Sequence, residues 1–80
     1  MGRVQELPDD DTWITDHRRT IGARIRAERE RQKLTQEQVI LAGRIDRVTI
    51  WRVETGEDVK LSTLMKIARV LDVPLADLVR

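Results

Sequence analysis

Between Thr35 and Gly56 the chain sets its helix boundaries so close together that two short helices joined by a tight turn are the simplest structure to satisfy them. Thr35 precedes Gln36-Glu37-Gln38, and a threonine followed three residues later by glutamine forms a capping box, each side chain bonding the other residue's backbone N–H. This second helix runs to about Ala42, where Gly43-Arg44-Ile45-Asp46 breaks the pattern after only two turns. Asp46 then offers a carboxylate cap to a third helix that continues to about Thr55, and Gly56 supplies a left-handed stop.

The flanking segments read as helices too. Ile14, Ile21 and Ile25 recur at helical spacing, which predicts a first helix from Ile21 to about Lys33, with Thr12 as its earliest start and Thr20 as the other candidate cap. Leu64, Ile67, Ala68 and Leu71 form one apolar stripe on a fourth helix over Leu61 to Leu71. Pro74 opens a short fifth helix, Leu75 to Val79, after the Asp72-Val73 break. Residues 1–11 are polar, contain Leu7-Pro8 and end in Asp9-Asp10-Asp11, whose charges favour the N-terminus of a following helix. The expected organisation is a flexible, partly helical arm over 1–19 and one folded domain over 20–80. Phe and Tyr are absent, and a core of Leu, Ile, Val and Ala suits helix-on-helix packing better than a sheet. The fold class is all-α, with five helices.

Size and composition narrow the function. Eighty residues make one domain, with little room for a large buried active-site cavity. There is no cysteine, and a single histidine cannot build a zinc site, so neither a disulfide framework nor a metal is expected. His17 has no serine and aspartate arranged around it, no glycine-rich phosphate loop is present, and Glu57-Asp58 lack an acid or base partner. Neither an enzyme nor a cofactor is expected, and His17 reads as structural. Glu6 stands where a myristoylation signal needs Ser or Thr, and no apolar run approaches signal-peptide or membrane-spanning length, so the expected location is the cytoplasm, away from the membrane.

Charge is distributed unevenly. Residues 18–52 carry ten Lys or Arg against four acids, a net of +6, within a chain whose total is +1. One positive surface able to track phosphates is implied, although alternating Arg and Glu over Arg24 to Lys33 also describes an ordinary solvated helix. Arg18, Arg19 and Arg24 are candidates for phosphate contact on that helix. On a helical wheel the third helix points Ile50 and Val53 inward and Val48, Trp51, Arg52 and Thr55 outward, with Arg47 on the exposed first turn. A B-DNA major groove admits a helix and displays acceptors and thymine methyls, so Arg47 or Arg52 suits guanine and Val48 suits a methyl.

The run from Leu34 to Gly56, LTQEQVILAGRIDRVTIWRVETG, resembles the helix-turn-helix of the lambda-repressor and Cro family. IGARIRAERERQKLTQ resembles that family's first helix entering its second, and LSTLMKIARVLDVPLADLV its fourth and fifth helices, so about sixty of the eighty residues are covered. The resemblance implies a compact five-helix DNA-binding domain with the helix-turn-helix as helices 2 and 3. It implies that Gln36 grips the DNA backbone, that Arg47, Val48, Trp51 and Arg52 form the recognition face, and that Thr55 and Lys60 touch phosphates; Thr49 is a further DNA-binding candidate on the same helix. Arg29 and Glu54 fall at the positions of the family's ion pair between helices 1 and 3. Two positions depart from the pattern: Ile40 replaces a small residue in the second helix, and Arg44 replaces a turn glycine. Ile40 bears on how closely helices 2 and 3 approach, and a non-glycine residue at positive φ costs about 1 kcal/mol.

The function implied is a transcriptional regulator, a repressor rather than an activator, binding a pseudo-palindromic operator in double-stranded DNA as a homodimer. Leu75, Leu78 and Val79 of the fifth helix are the expected dimer surface. A different class stays open, in which the same scaffold binds another protein, as an antitoxin binds a toxin, through Trp51, Trp13 and the acidic remainder. Trp51 itself has three readings: DNA contact, packing across helices 2 and 3, or a protein partner. Trp13 with Ile14 reads as cover for the core or a dimer seam.

Overall fold

Every helix contributes at least one side chain to a single apolar cluster. Ile25 comes from the first, Val39 from the second, Ile50 and Val53 from the third, Ile67, Ala68 and Leu71 from the fourth, and Leu78 from the fifth. In a computed structural model, which describes residues 2–80, the elements are α1 (Thr12–Arg31), α2 (Gln36–Gly43), α3 (Arg47–Thr55), α4 (Leu61–Leu71) and α5 (Leu75–Val79). There is no strand among the described residues, and Met1 of the expected arm lies outside them. Burying each Ile or Leu of this cluster is worth about 1.5–3 kcal/mol, so a core of this size has little to spare.

α1 begins at Thr12, the earliest start allowed by the sequence, and runs unbroken through residues 19 and 20. Asp10 fixes that start: its Oδ1 accepts from the Thr12 backbone N–H at 3.1 Å and from the Thr12 hydroxyl at 2.7 Å. These bonds hold the Asp10 carboxyl below the ordinary aspartate range. Thr20, the other candidate cap, lies inside the helix and bonds back to the Asp16 carbonyl at 3.0 Å. The helix stops at Arg31 because Lys33 takes a left-handed conformation, with φ of 58°, that turns the chain into α2.

The capping box at the start of α2 is complete. The Gln38 backbone N–H donates to Thr35 Oγ1 at 3.1 Å, and Gln38 Oε1 accepts from the Thr35 N–H at 2.8 Å. Arg44 closes α2 in the left-handed region, with φ of 53°, so the turn keeps its geometry with an arginine where glycine would be unstrained. Ile40, the other departure, is half-buried against the core. α3 starts at the Asp46 cap, whose Oδ1 accepts from the Thr49 N–H at 2.7 Å, and ends at Gly56 with φ of 88°.

Two contacts of α1 place α3. Gly22 is buried where α1 crosses the end of α3, and a Cβ there would lie 2.4 Å from the Val53 carbonyl oxygen and 3.0 Å from that of Glu54. One turn earlier, Arg18 Nε donates to the Gly56 carbonyl at 3.1 Å. Residues of α1 also hold α5. His17 Nε2 donates to the Val79 carbonyl at 3.0 Å, and Arg24 Nη1 donates to the carbonyls of Leu78 and Arg80. Leu78 is 3% exposed, and Leu75 and Val79 are half-buried against the core. Of the three α5 residues expected at a dimer surface, Leu78 therefore serves this chain's own core, while Leu75 and Val79 keep part of their surface exposed.

The α1–α3 crossing leaves no room for a methyl group. Gly22→Ala is expected to lower stability by about 2–3 kcal/mol through overpacking against backbone, read as a reduced urea midpoint with unchanged slope.

Candidate nucleic-acid interface

α3 is shielded on one side by the core and presents a ridge of Arg47, Val48, Trp51, Arg52 and Thr55 on the other, all five exposed. Two grooves flank that ridge. On the α2 side, Gln36, Arg47, Val48 and Trp51 line a shallow space of ≈ 350 Å³. On the α4 side, Thr49 and Arg52 line a larger one of ≈ 670 Å³ with Arg44, Lys60, Ser62, Thr63 and Lys66. The recognition face expected from the sequence is thus divided: Thr49, Arg52 and Lys60 belong to the second groove, and Gln36, Arg47, Val48 and Trp51 to the first.

The first groove is buttressed from below. Arg29 reaches from α1 to Glu54 near the end of α3 by a bidentate pair, Nε to Oε2 at 2.7 Å and Nη2 to Oε1 at 3.0 Å. Arg29 Nη1 also donates to the Leu34 carbonyl at 2.8 Å, and Gln36 Nε2 donates to Glu54 Oε1 at 3.2 Å. The two charged side chains are 12% and 5% exposed, and donating to the Glu54 carboxylate holds Arg29 above its ordinary pKa against the opposing effect of burial. One buried carboxylate therefore joins α1, α3 and the first residue of α2, and orients the Gln36 amide at the rim of the groove.

Trp51 is 55% exposed, one wall of the first groove instead of a plug between α2 and α3. Beside Val48 it offers an apolar strip between the Gln36 amide and the Arg47 guanidinium. Such a strip suits thymine methyls or a flat partner surface, while the amide and guanidinium supply directed donors. Thr55 returns its hydroxyl to the carbonyls of Trp51 and Arg52, at 2.9 and 3.2 Å.

The second groove is cationic. Arg44, Arg52, Lys60 and Lys66 line it against Asp46 and Asp58, and Asp46 is already occupied in capping α3. α4 opens onto the same space with no side-chain cap and no acid in its first turn, so its dipole favours an anion there. Ser62 and Lys66 join this groove only through the fold, and so does Arg44, which the sequence marks as a turn residue and not as part of a DNA-facing surface. Two of the three α1 arginines considered for phosphates, Arg18 and Arg24, donate to backbone carbonyls instead. Glu37 also carries no signal of its own in the sequence: it pairs with Arg47, one of the residues lining the first groove, at 2.6 Å.

A helix-turn-helix family model matches residues 25–78, which takes in both grooves and every core residue. The chain belongs to the helix-turn-helix family. It is of the XRE type, and among solved structures it resembles the restriction-modification controller protein C.AhdI from Aeromonas hydrophila. The two are 30% identical with a TM-score of 0.75, over 79% of this chain and 97% of the other. No curated protein shows significant similarity to the chain. Family membership makes this a DNA-binding regulator domain, and the two grooves lie on either side of α3, the second helix of its helix-turn-helix. Among the described residues no helix is long and apolar enough to cross a membrane.

Two outcomes follow from the helix-turn-helix scaffold. Glu54→Ala leaves the Arg29 charge buried without its partner and is expected to destabilise the domain by about 3 kcal/mol or more, whereas Arg29→Met combined with Glu54→Leu recovers most of that loss, both read by urea unfolding. Asp46 has its pKa lowered, first by its hydrogen bonding with Thr49, so its contribution is present above the unfolded aspartate value and fades as pH falls through the lower folded value. The stability gap between the wild type and Asp46→Asn is therefore expected to be widest near neutrality and to close in acid, measured by denaturation across pH.

Proposed function

We propose that this chain is a sequence-specific regulator of transcription that inserts α3 into the major groove of double-stranded DNA, acting as a homodimer on a pseudo-palindromic operator. The observation that carries this reading is the α3 ridge itself. It presents two arginines, an apolar strip and a hydroxyl to solvent, and a polar amide and a cationic groove flank it. In this arrangement Arg47 and Arg52 read guanine, Val48 and Trp51 meet thymine methyls, and Gln36, Lys60 and the α4 N-terminus hold phosphates. Thr49 and Thr55 lie along the edges of the reading helix. Repression by occupying the operator asks nothing beyond these surfaces, and the likeness to a restriction-modification controller supports a regulatory role.

A dimer places two α3 helices in successive major grooves, about one helical turn apart. With Leu78 in the core, α5 offers a second copy the flanks of Leu75 and Val79, and Leu61 and Met65 on α4 form a more exposed apolar pair one turn apart. The antitoxin reading draws on the exposure of Trp51 and Trp13. Salt separates the two, because phosphate contacts release counterions and an aromatic-anchored protein contact does not.

The test is selection from a random duplex pool at two salt concentrations. A two-fold symmetric, salt-sensitive site is expected; no enrichment at either salt would reject the regulator reading. Within the selected site, Arg52→Ala is expected to relax one base pair per half-site by about 1–3 kcal/mol, and Lys60→Ala to weaken all sequences alike and reduce the salt slope by about one ion.

A further inference from the structure

Arg47, which lines the first groove, is paired with Glu37 in water, the Glu37 and Arg47 side chains being 48% and 74% exposed. A pair so exposed adds little to stability, because solvent screens it and two long side chains lose freedom in forming it. Its position is more informative. Glu37 lies in the first turn of α2 beside Gln36, and Arg47 opens α3, so the pair bridges the two helices of the helix-turn-helix next to the groove that Gln36 and Arg47 line. Only Arg47 Nη2 bonds to Glu37 Oε2, at 2.6 Å, which leaves most of the five guanidinium N–H donors free.

Resting on the regulator reading above, we propose that Glu37 is a positioning residue that sets the base specificity of Arg47. By one oxygen it holds the guanidinium at the groove shared with Gln36, Val48 and Trp51, so the free N–H groups meet a guanine edge in one orientation. Without that tether a long, exposed arginine swings to whichever phosphate is nearest, because any phosphate attracts it. Glu37 also acts against wrong sequences. A base pair that cannot accept from the held guanidinium must either leave its donors unmatched or draw Arg47 away, and drawing it away leaves a bare carboxylate facing the polyanion. Discrimination then comes from a penalty on the wrong partner as much as from a bond to the right one.

Glu37→Gln, Glu37→Asp, Arg47→Ala and the double variant Glu37→Gln/Arg47→Ala are compared on the selected operator, on its single-base variants and on a scrambled duplex of equal length, at two salt concentrations. Thermal melting checks that each variant is folded. Glu37→Gln is expected to tighten the scrambled duplex more than the operator, lowering the specificity ratio about tenfold, and to steepen the salt slope by up to about one ion. It flattens preference at the same base pair that Arg47→Ala flattens, and in the Arg47→Ala background it changes overall affinity alone. Glu37→Asp keeps the charge but shortens the reach, so the salt slope stays at the wild-type value while the same base pair loses preference. The proposal is overturned if Glu37→Gln moves operator and scrambled duplex by one common factor with base preference intact, or if Glu37→Asp behaves as wild type, either of which makes Glu37 a plain surface charge. A wild-type protein with no sequence preference at all would reject the regulator reading itself, and this role with it.

Discussion

The carboxylate of Glu54 is the point from which the geometry of the recognition element is set. It lies near the end of α3, almost fully buried, and takes two hydrogen bonds from Arg29 of α1 and one from Gln36 of α2. Burying two charges costs several kcal/mol before their attraction returns any of it, so the arrangement is not the most stabilising use of that volume. Its gain is directional, because a bidentate guanidinium–carboxylate pair admits few relative orientations. The close approach at Gly22 adds a steric limit a short distance away, since the α1 backbone sits directly on the last carbonyls of α3. Together they fix where α3 points.

With α3 fixed, the division of its side chains follows. Ile50 and Val53 fill the core, and the residues between them are left outside because α1 and α2 cover only one side of the helix. The polar groups of α1 and of Gln32, which follows it, serve backbone acceptors at the ends of other helices: Arg18 for α3, Gln32 for α4 at the Leu71 carbonyl, and His17 and Arg24 for α5. Helix C-termini leave carbonyls without intrahelical partners, and a neighbouring helix rich in donors satisfies them without a dedicated cap. This explains why so cationic a helix need not face DNA. It also explains how a five-residue helix such as α5 persists, since so short a helix has few hydrogen bonds of its own and relies on tertiary support.

The legible parts of the fold were those with local signatures. The capping box at Thr35, the aspartate cap at Asp46, the glycine stop at Gly56 and the stripe of α4 depend on residues within four positions of one another, and all are present in the structure. The start of α1 was legible only as a range, because Thr12 and Thr20 are both plausible caps until Asp10 is seen bonding to Thr12. What a helical wheel cannot supply is a neighbour. It gave the direction of Arg47, Val48, Trp51 and Arg52, but it could not place Thr49 and Arg52 against α4, nor bring Arg44, Ser62 and Lys66 to them across the turns that separate them. For the same reason Leu78 looked available to a partner when α1 and α4 already enclose it.

The surplus of positive charge over residues 18–52 looked like one surface, and the structure shows that it is several. Arg29 is buried with Glu54, Arg26 pairs with Glu30, Arg31 with Glu28, and Arg18 and Arg24 are bonded to carbonyls. Arg44 and Arg52 remain at the second groove, where Lys60 and Lys66 from beyond the charged segment join them. A field that attracts DNA at long range depends on the sum of charges, but contact at short range depends on which side chains have donors free to offer. By that measure the cations with donors to offer are concentrated in a patch around α3 and the start of α4. A focused patch suits a protein that reads sequence, because each phosphate contact added elsewhere strengthens binding to every sequence equally and contributes nothing to choosing among them.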